Sequence, residues 1–225
     1  SVGVAQFSGI GCTVVGPAVA TSLNTWDSRT PYGAIQTTTT LDAAAIMYAH
    51  TGLTGGGWWV AAHNPYFSWA TKTGPSIANT VIFVGAAVDP SGAPTNTNEN
   101  LPGTFTGWRD FIGFRLSNGG SSWEVVHRNG TSAATITDTG VVAGADTAYF
   151  FELETTDAGV SWTATINGTV VATLTTNIPS ATLITPTNSM QELAWIRNKV
   201  GGAGSNTYLK ISHFFSEYGQ SAILT

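Results

Sequence analysis

Glu152 and Glu154 stand two residues apart, with Asp157 following, and no other acidic grouping in the chain is better suited to acid–base chemistry. On an extended strand, side chains at i and i+2 share a face roughly 6–7 Å apart. That is near the spacing at which paired carboxylates cleave glycosidic bonds. No histidine or cation is placed beside them by sequence, so a solvated strand face is the expectation and catalysis the alternative. His50, His63, His127 and His213 are scattered and make no H-x-H or H-x-x-x-H ligand pair. There is no G-x-S-x-G elbow, and Gly55-Gly56-Gly57 lacks the Lys-Ser/Thr that completes a phosphate loop. No catalytic residue, resident metal or cofactor is therefore expected, and the chain reads as a non-enzyme. One opening remains for calcium, because Asp138 and Asp146 flank a loop rich in oxygen donors. Aspartates in turns more commonly bond to their own backbone.

The eight tryptophans are the other chemical resource. Trp58, Trp59, Trp69 and Trp108 fall in Gly-, Asn- or Pro-containing surroundings, where an indole face can stack on a sugar ring or anchor a subunit contact. Trp58, Trp59 and Trp108 are the candidate ligand-binding residues. Neighbours on a strand point to opposite faces, so at least one of Trp58 and Trp59 is expected in the core.

The elements that must position these groups read as strands. Val160, Trp162, Ala164 and Ile166 alternate with polar residues up to Asn167-Gly168, the pair suited to a two-residue type I′ turn, and Val170, Ala172 and Leu174 resume the alternation. A second hairpin runs from Trp123, Val125 and His127 through Asn129-Gly130 to Ala134 and Ile136. Both turns also match glycosylation acceptors at Asn129 and Asn167, which hairpin geometry explains without a glycan. Further strands are expected at Ile112–Leu116, Tyr149–Glu154 and Leu209–His213, and Val81–Val88 reads as a strand covered on both faces. A short helix is expected at Leu41–His50, and a turn of helix or an irregular strand at Ser189–Val200. The loop Asp89–Gly107 is expected to pack on a neighbour or rim a site.

Composition sets the frame. With 225 residues and 42% hydrophobic content, one all-β domain spanning 1–225 is expected, its residues 1–35 forming an extended arm. Charged residues make up only 9%, against roughly a quarter in ordinary globular proteins. Such a surface suits one covered by subunit contacts. A net charge of -5 with 8 Lys+Arg gives no basic footprint, so no nucleic acid is expected as partner. No apolar run approaches the ~20 residues of a membrane span. Ser1–Gly16 has no basic residue ahead of its apolar stretch, so no signal peptide is expected. The lone Cys12 excludes an intrachain disulfide framework.

The order of features from about 110 to 218 carries a resemblance. It runs Ile112-Gly113-Phe114-Arg115-Leu116, the Trp-led hairpin at 123–136, Thr139-Gly140-Val141-Val142 and the Tyr149–Glu154 strand. Gly159-Val160-Ser161-Trp162 then enters Ile166-Asn167-Gly168-Thr169-Val170, and Ile178-Pro179 and a late apolar strand close it. This resembles the concanavalin A-like (laminin-G-like) jelly-roll domain of tailed-bacteriophage virion proteins. The resemblance implies an antiparallel two-sheet sandwich used for capsid decoration, as a head fibre or as a tail-associated module. The glycosidases of that fold carry an E-x-D-x-(x)-E run, and here no acid stands between Glu152 and Glu154. The leading expectation is a non-enzymatic virion structural protein, assembled in the host cytoplasm as a homotrimer on the major capsid protein or other virion proteins. A lectin-like module for host glycans is the first alternative. A glycan hydrolase or lyase using Glu152 and Glu154 is the second.

Overall fold

A computed structural model describes residues 5–6, 12–15, 24–25, 31–37, 41, 44–49, 59–88, 110–130, 133–180, 189–199 and 208–218. Strands dominate them: β1 (Ala5–Gln6), β2 (Cys12–Val15), β3 (Asn24–Thr25), β4 (Pro31–Gln36), β5 (Ala44–Ala49), β6 (Pro65–Thr73), β7 (Thr80–Val88), β8 (Phe111–Leu116), β9 (Ser122–Arg128), β10 (Thr135–Val142), β11 (Ala148–Glu154), β12 (Trp162–Ile166), β13 (Thr169–Leu174), β14 (Met190–Asn198) and β15 (Tyr208–Tyr218). A single 3-10 turn, Ala61–His63, is the helical element among these residues. The strands form two antiparallel sheets, one of eight in the order β1-β2-β5-β14-β7-β8-β9-β10 and one of seven in the order β13-β12-β11-β6-β15-β4-β3. The strands within residues 1–35, read as an arm, are paired into these sheets. The loop 89–107 lies outside the described residues.

Alternation decides which residues face inward. Phe67 and Trp69 of β6, Tyr149, Phe151 and Leu153 of β11, and Trp162, Ala164 and Ile166 of β12 line the inner face of the seven-stranded sheet. Ile82, Val84, Ala86 and Val88 of β7, Ile112, Phe114 and Leu116 of β8, and Trp123 and Val125 of β9 meet them from the other sheet. Phe114 and Phe151 stack at 4.7 Å between ring centroids, and Trp123 meets Phe151 edge-on at 4.8 Å. Such aromatic pairs add about 0.5–1.5 kcal/mol each beyond their area burial.

The central strands of the eight-stranded sheet are also buried on their outer face. Ala44, Val81, Phe83, Ala87, Phe111, Val126, Leu193 and Trp195 form a second apolar cluster there, so every residue of β7, β8 and β14 is buried. Arg115, Arg128 and Arg197 occupy the same face by register. Arg115 gives Nε and Nη2 to one oxygen of Glu124, both at 2.7 Å, and Arg128 lies over the Phe111 ring at 5.1 Å. Burial pushes the Arg128 guanidinium below its ordinary value, against the opposing pull of Asp110. In the middle of this face the Phe83 ring fills the space above two glycines. A Cβ on Gly113 would stand 2.5 and 2.6 Å from its ring carbons, and one on Gly85 would stand 2.7 Å from the ring.

Two expected elements take another form. Leu41–His50 yields strand β5 rather than a short helix, because pairing with β2 on one side and β14 on the other overrides its helix-forming alanines. Ser189–Val200 holds the regular nine-residue strand β14. The Asn167-Gly168 turn is a two-residue type I′ turn with φ of 51° and 77°. Beyond it, an extra residue in β13 shifts the register, so Val171 packs toward the core and Val170 is exposed, the reverse of simple alternation. Val160, expected in phase with Trp162, is exposed before the strand begins. The β9–β10 hairpin closes through a longer loop than Asn129-Gly130, which turns Ile136 outward.

A strap at 175–180 ties the two sheets together. Asn177, at φ 53°, accepts from the Asn129 backbone N–H at 3.0 Å and donates through Nδ2 to the Ala133 carbonyl and the Thr135 hydroxyl. His127, buried on the inner face, donates through Nδ1 to the Asn177 carbonyl at 3.1 Å. Trp162 Nε1 donates to the Pro179 carbonyl at 3.2 Å.

Two outcomes follow for stability. Gly113→Ala must displace Phe83 and also meets the Val84 carbonyl at 2.6 Å, so it is expected to lower unfolding free energy by about 1–3 kcal/mol in urea titration. Burial holds the His127 imidazole below its ordinary value of 6.5, the bond to Asn177 opposing it. The unfolded chain then binds the proton first, so stability is intact above about pH 6.5 and falls as pH drops through the lowered folded value. Urea midpoints measured from pH 7 downward should show this slope, and His127→Gln, which keeps a donor but does not titrate, should flatten it.

Candidate functional site

The carboxylates singled out by spacing stand on the outer face of the seven-stranded sheet. In β11 the inward positions are Tyr149, Phe151 and Leu153, so Phe150, Glu152 and Glu154 point away from the core. β6 pairs directly with β11, setting Ala70 opposite Phe150, Ser68 opposite Glu152 and Tyr66 opposite Glu154. On the other side β12 sets Thr165 opposite Glu152 and Thr163 opposite Glu154. Residues directly opposite in antiparallel strands share a face, so two rings, two carboxylates and three hydroxyl side chains lie on one surface.

The Tyr66 hydroxyl donates to Glu152 Oε1 at 2.7 Å, a bond between residues 86 apart in sequence. Its phenol is pushed up to about 12, by burial first and then by the hydrogen bond to Glu152. The bond with Ser68 pulls the other way, and the charges of Glu152 and Glu154 add to the rise. The hydroxyl thus stays a donor across the physiological range and holds Glu152 in place. Phe150 is 37% exposed and Glu154 is exposed, whereas Ser68 is buried between them.

The other candidates fall elsewhere. Trp59 is buried in the core, edge-on to Phe67 at 5.9 Å, and exchanges backbone hydrogen bonds with Met190. It therefore offers no surface platform. Trp58 and Trp108 lie outside the described residues. Asp138 accepts from the Gly140 N–H at 2.9 Å, and this bond, followed by one from Ser122, holds its carboxyl below the usual range. Asp146 lies 3.9 Å from Lys72 Nζ. Among the described residues no group of three or more His, Cys, Asp or Glu is arranged to hold a metal. Asp157 is likewise committed locally, accepting from Ser161 and Thr155, which keeps its carboxyl low. Asn167 uses its side chain to accept from the Phe150 N–H at 2.8 Å, fixing the strand that carries Phe150.

Sequence reading missed Tyr66, Ser68 and Phe150 as site residues. The available signal was the run Tyr66-Phe67-Ser68-Trp69-Ala70, whose large apolar residues recur at every second position.

No family model and no curated protein matches the chain. Solved structures do match its fold. The carbohydrate recognition domain of Emp47p superposes with a TM-score of 0.59 at 12% identity, covering 96% of this chain and 91% of that one. A family 16 glycoside hydrolase endo-glucanase from Bacteroides ovatus gives 0.57 at 9% identity, with 94% and 96% covered. A conserved carbohydrate esterase from Shiga toxin-encoding bacteriophage phi24B gives 0.54 at 11% identity, with 93% and 91% covered. At such identities the likeness establishes the fold, a jelly-roll β sandwich.

The phenol provides a direct check on the site. Ultraviolet titration should find Tyr66 ionising near pH 12 instead of the ordinary 10, and that component should vanish in Tyr66→Phe. Since the folded value is raised, its contribution to stability is complete below pH 10 and lost as pH climbs toward 12.

Proposed function

We propose that the chain is a non-catalytic carbohydrate-binding sandwich whose glycan lies along the outer face of the seven-stranded sheet, over Phe150, Tyr66, Glu152 and Glu154. One observation carries this reading. The central strands of the eight-stranded sheet are buried on both faces, whereas the seven-stranded sheet presents an exposed aromatic ring beside an ordered Tyr–carboxylate pair. A sugar needs such a combination: an aromatic face for its C–H surface and fixed polar groups for its hydroxyls. The carbohydrate-recognising and carbohydrate-processing proteins of the same fold support it.

The arrangement favours binding over hydrolysis. Glycoside cleavage needs one carboxyl kept protonated by a desolvated pocket beside a second that stays ionised. Here Glu154 is exposed and Glu152 has one oxygen occupied by the Tyr66 hydroxyl. In glycan-array screening and calorimetry, Phe150→Ala is expected to weaken the best ligand by about tenfold, the order of a lost stacking contact, with an unchanged circular dichroism spectrum. Equal affinity in that variant would remove the site. Release of reducing ends that stops in Glu152→Gln would replace binding with hydrolysis.

A second reading, a homo-oligomeric subunit of a virion, is favoured by the 9% charge and by the exposed Val142, Val160 and Val170. Exposed apolar side chains of this size suit subunit contacts. Sedimentation of the purified chain as a monomer at micromolar concentration would count against it.

A further inference from the structure

We infer that this face discriminates by charge, accepting neutral and amine-bearing sugars and rejecting glycans that carry carboxylate or sulfate. The inference rests on the glycan-binding reading and specifies the ligand class.

The rows across the sheet are ordered along β6. Lys72 stands opposite Ala148, Ala70 opposite Phe150, Ser68 opposite Glu152 and Tyr66 opposite Glu154. At about 3.3 Å per residue, Lys72 is roughly 20 Å from the Tyr66 row, and it already lies 3.9 Å from Asp146. It therefore does not neutralise the far end. Among the described residues neither Glu152 nor Glu154 has an ion-pair partner, and the hydrogen bond to either is the one from Tyr66 to Glu152.

This end of the face is consequently rich in acceptors. Carboxylate oxygens only accept, the Tyr66 proton is committed to Glu152, and the Thr163 and Thr165 hydroxyls opposite Glu154 and Glu152 are its neutral donors. To satisfy the two carboxylates a ligand must bring donors of its own. Sugar hydroxyls do so, and a protonated amine does so with a favourable charge. A uronate or sulfate brings further acceptors and a like charge. The geometry fits a chain of sugars: Phe150 and Glu152 are two residues apart, about 6–7 Å, close to one sugar unit. A ring stacked on Phe150 thus places the next unit's substituents near Glu152, and those of the unit after it near Glu154, about 13 Å along the strand.

The test compares three hexamers by calorimetry at low salt: a glucosamine oligomer, the matching neutral glucose oligomer and a hexuronate oligomer. The expected order is glucosamine tightest, by about three- to tenfold over glucose, as one or two exposed charge contacts provide, with no measurable uronate binding. The glucosamine advantage should close as salt is raised. In the double variant Glu152→Gln, Glu154→Gln the glucosamine-to-glucose ratio should fall to about one. Uronate binding as tight as glucose, or an amine preference that survives the double variant, overturns the inference while leaving glycan binding standing. Glucose binding that Phe150→Ala does not weaken overturns the binding site, and absence of binding by any hexamer overturns the glycan reading. In either case the charge selection goes with it.

Discussion

The Phe83 ring occupies the space that side chains on Gly85 and Gly113 would need, at the centre of a sheet with no wet face there. Much of the architecture follows from that contact. Two adjacent strands can share one ring only if both surrender their side chains at the same row, and β7 and β8 do, with Gly85 directly opposite Gly113. Phe111 then meets Phe83 edge-on at 6.4 Å, and Arg128 closes over Phe111. The outer face of the eight-stranded sheet becomes a second, dry layer of packing. The central strands of that sheet therefore present no open face, whereas β11 of the other sheet keeps one.

Burial on both faces also reframes the low charge. Asp110, Arg115, Arg128, Glu192 and Arg197 are all buried, in a chain with 8 basic and 13 acidic residues. A sizeable part of the scarce charge is therefore internal. Charges in such positions are costly unless paired, and the Arg115–Glu124 pair and the Asp110–Gly130 hydrogen bond show how two of them are met. Among the described residues Glu152 and Glu154, on the open face of the seven-stranded sheet, have no cation partner, and this contrast with the paired Arg115 gives that face its chemical character.

Strands with one wet face were legible, since β11 and β12 alternate cleanly and Asn167-Gly168 marks the turn that follows. Strand β14 was read only as a turn of helix or an irregular strand, because a strand buried on both faces loses the period of two and Glu192 and Arg197 interrupt its apolar run. β5 was obscured by alanines whose helix propensity yields to pairing on both sides. The phase of β13 depended on one extra residue that no composition reveals. Half of the site was visible as Glu152 and Glu154. The other half, Tyr66 and Ser68, comes from a strand distant in sequence, and only the sheet register brings it alongside.

The proposed ligand surface lies on the seven-stranded sheet and not on the eight-stranded one. Amide chemical-shift mapping with a saturating neutral oligosaccharide tests this most directly. Shifts should concentrate at 66–70 of β6, 150–154 of β11 and 163–165 of β12, with β7, β8 and β14 unmoved. Shifts centred on β7, β8 and β14 would contradict it, by showing that the dry outer layer opens to the ligand.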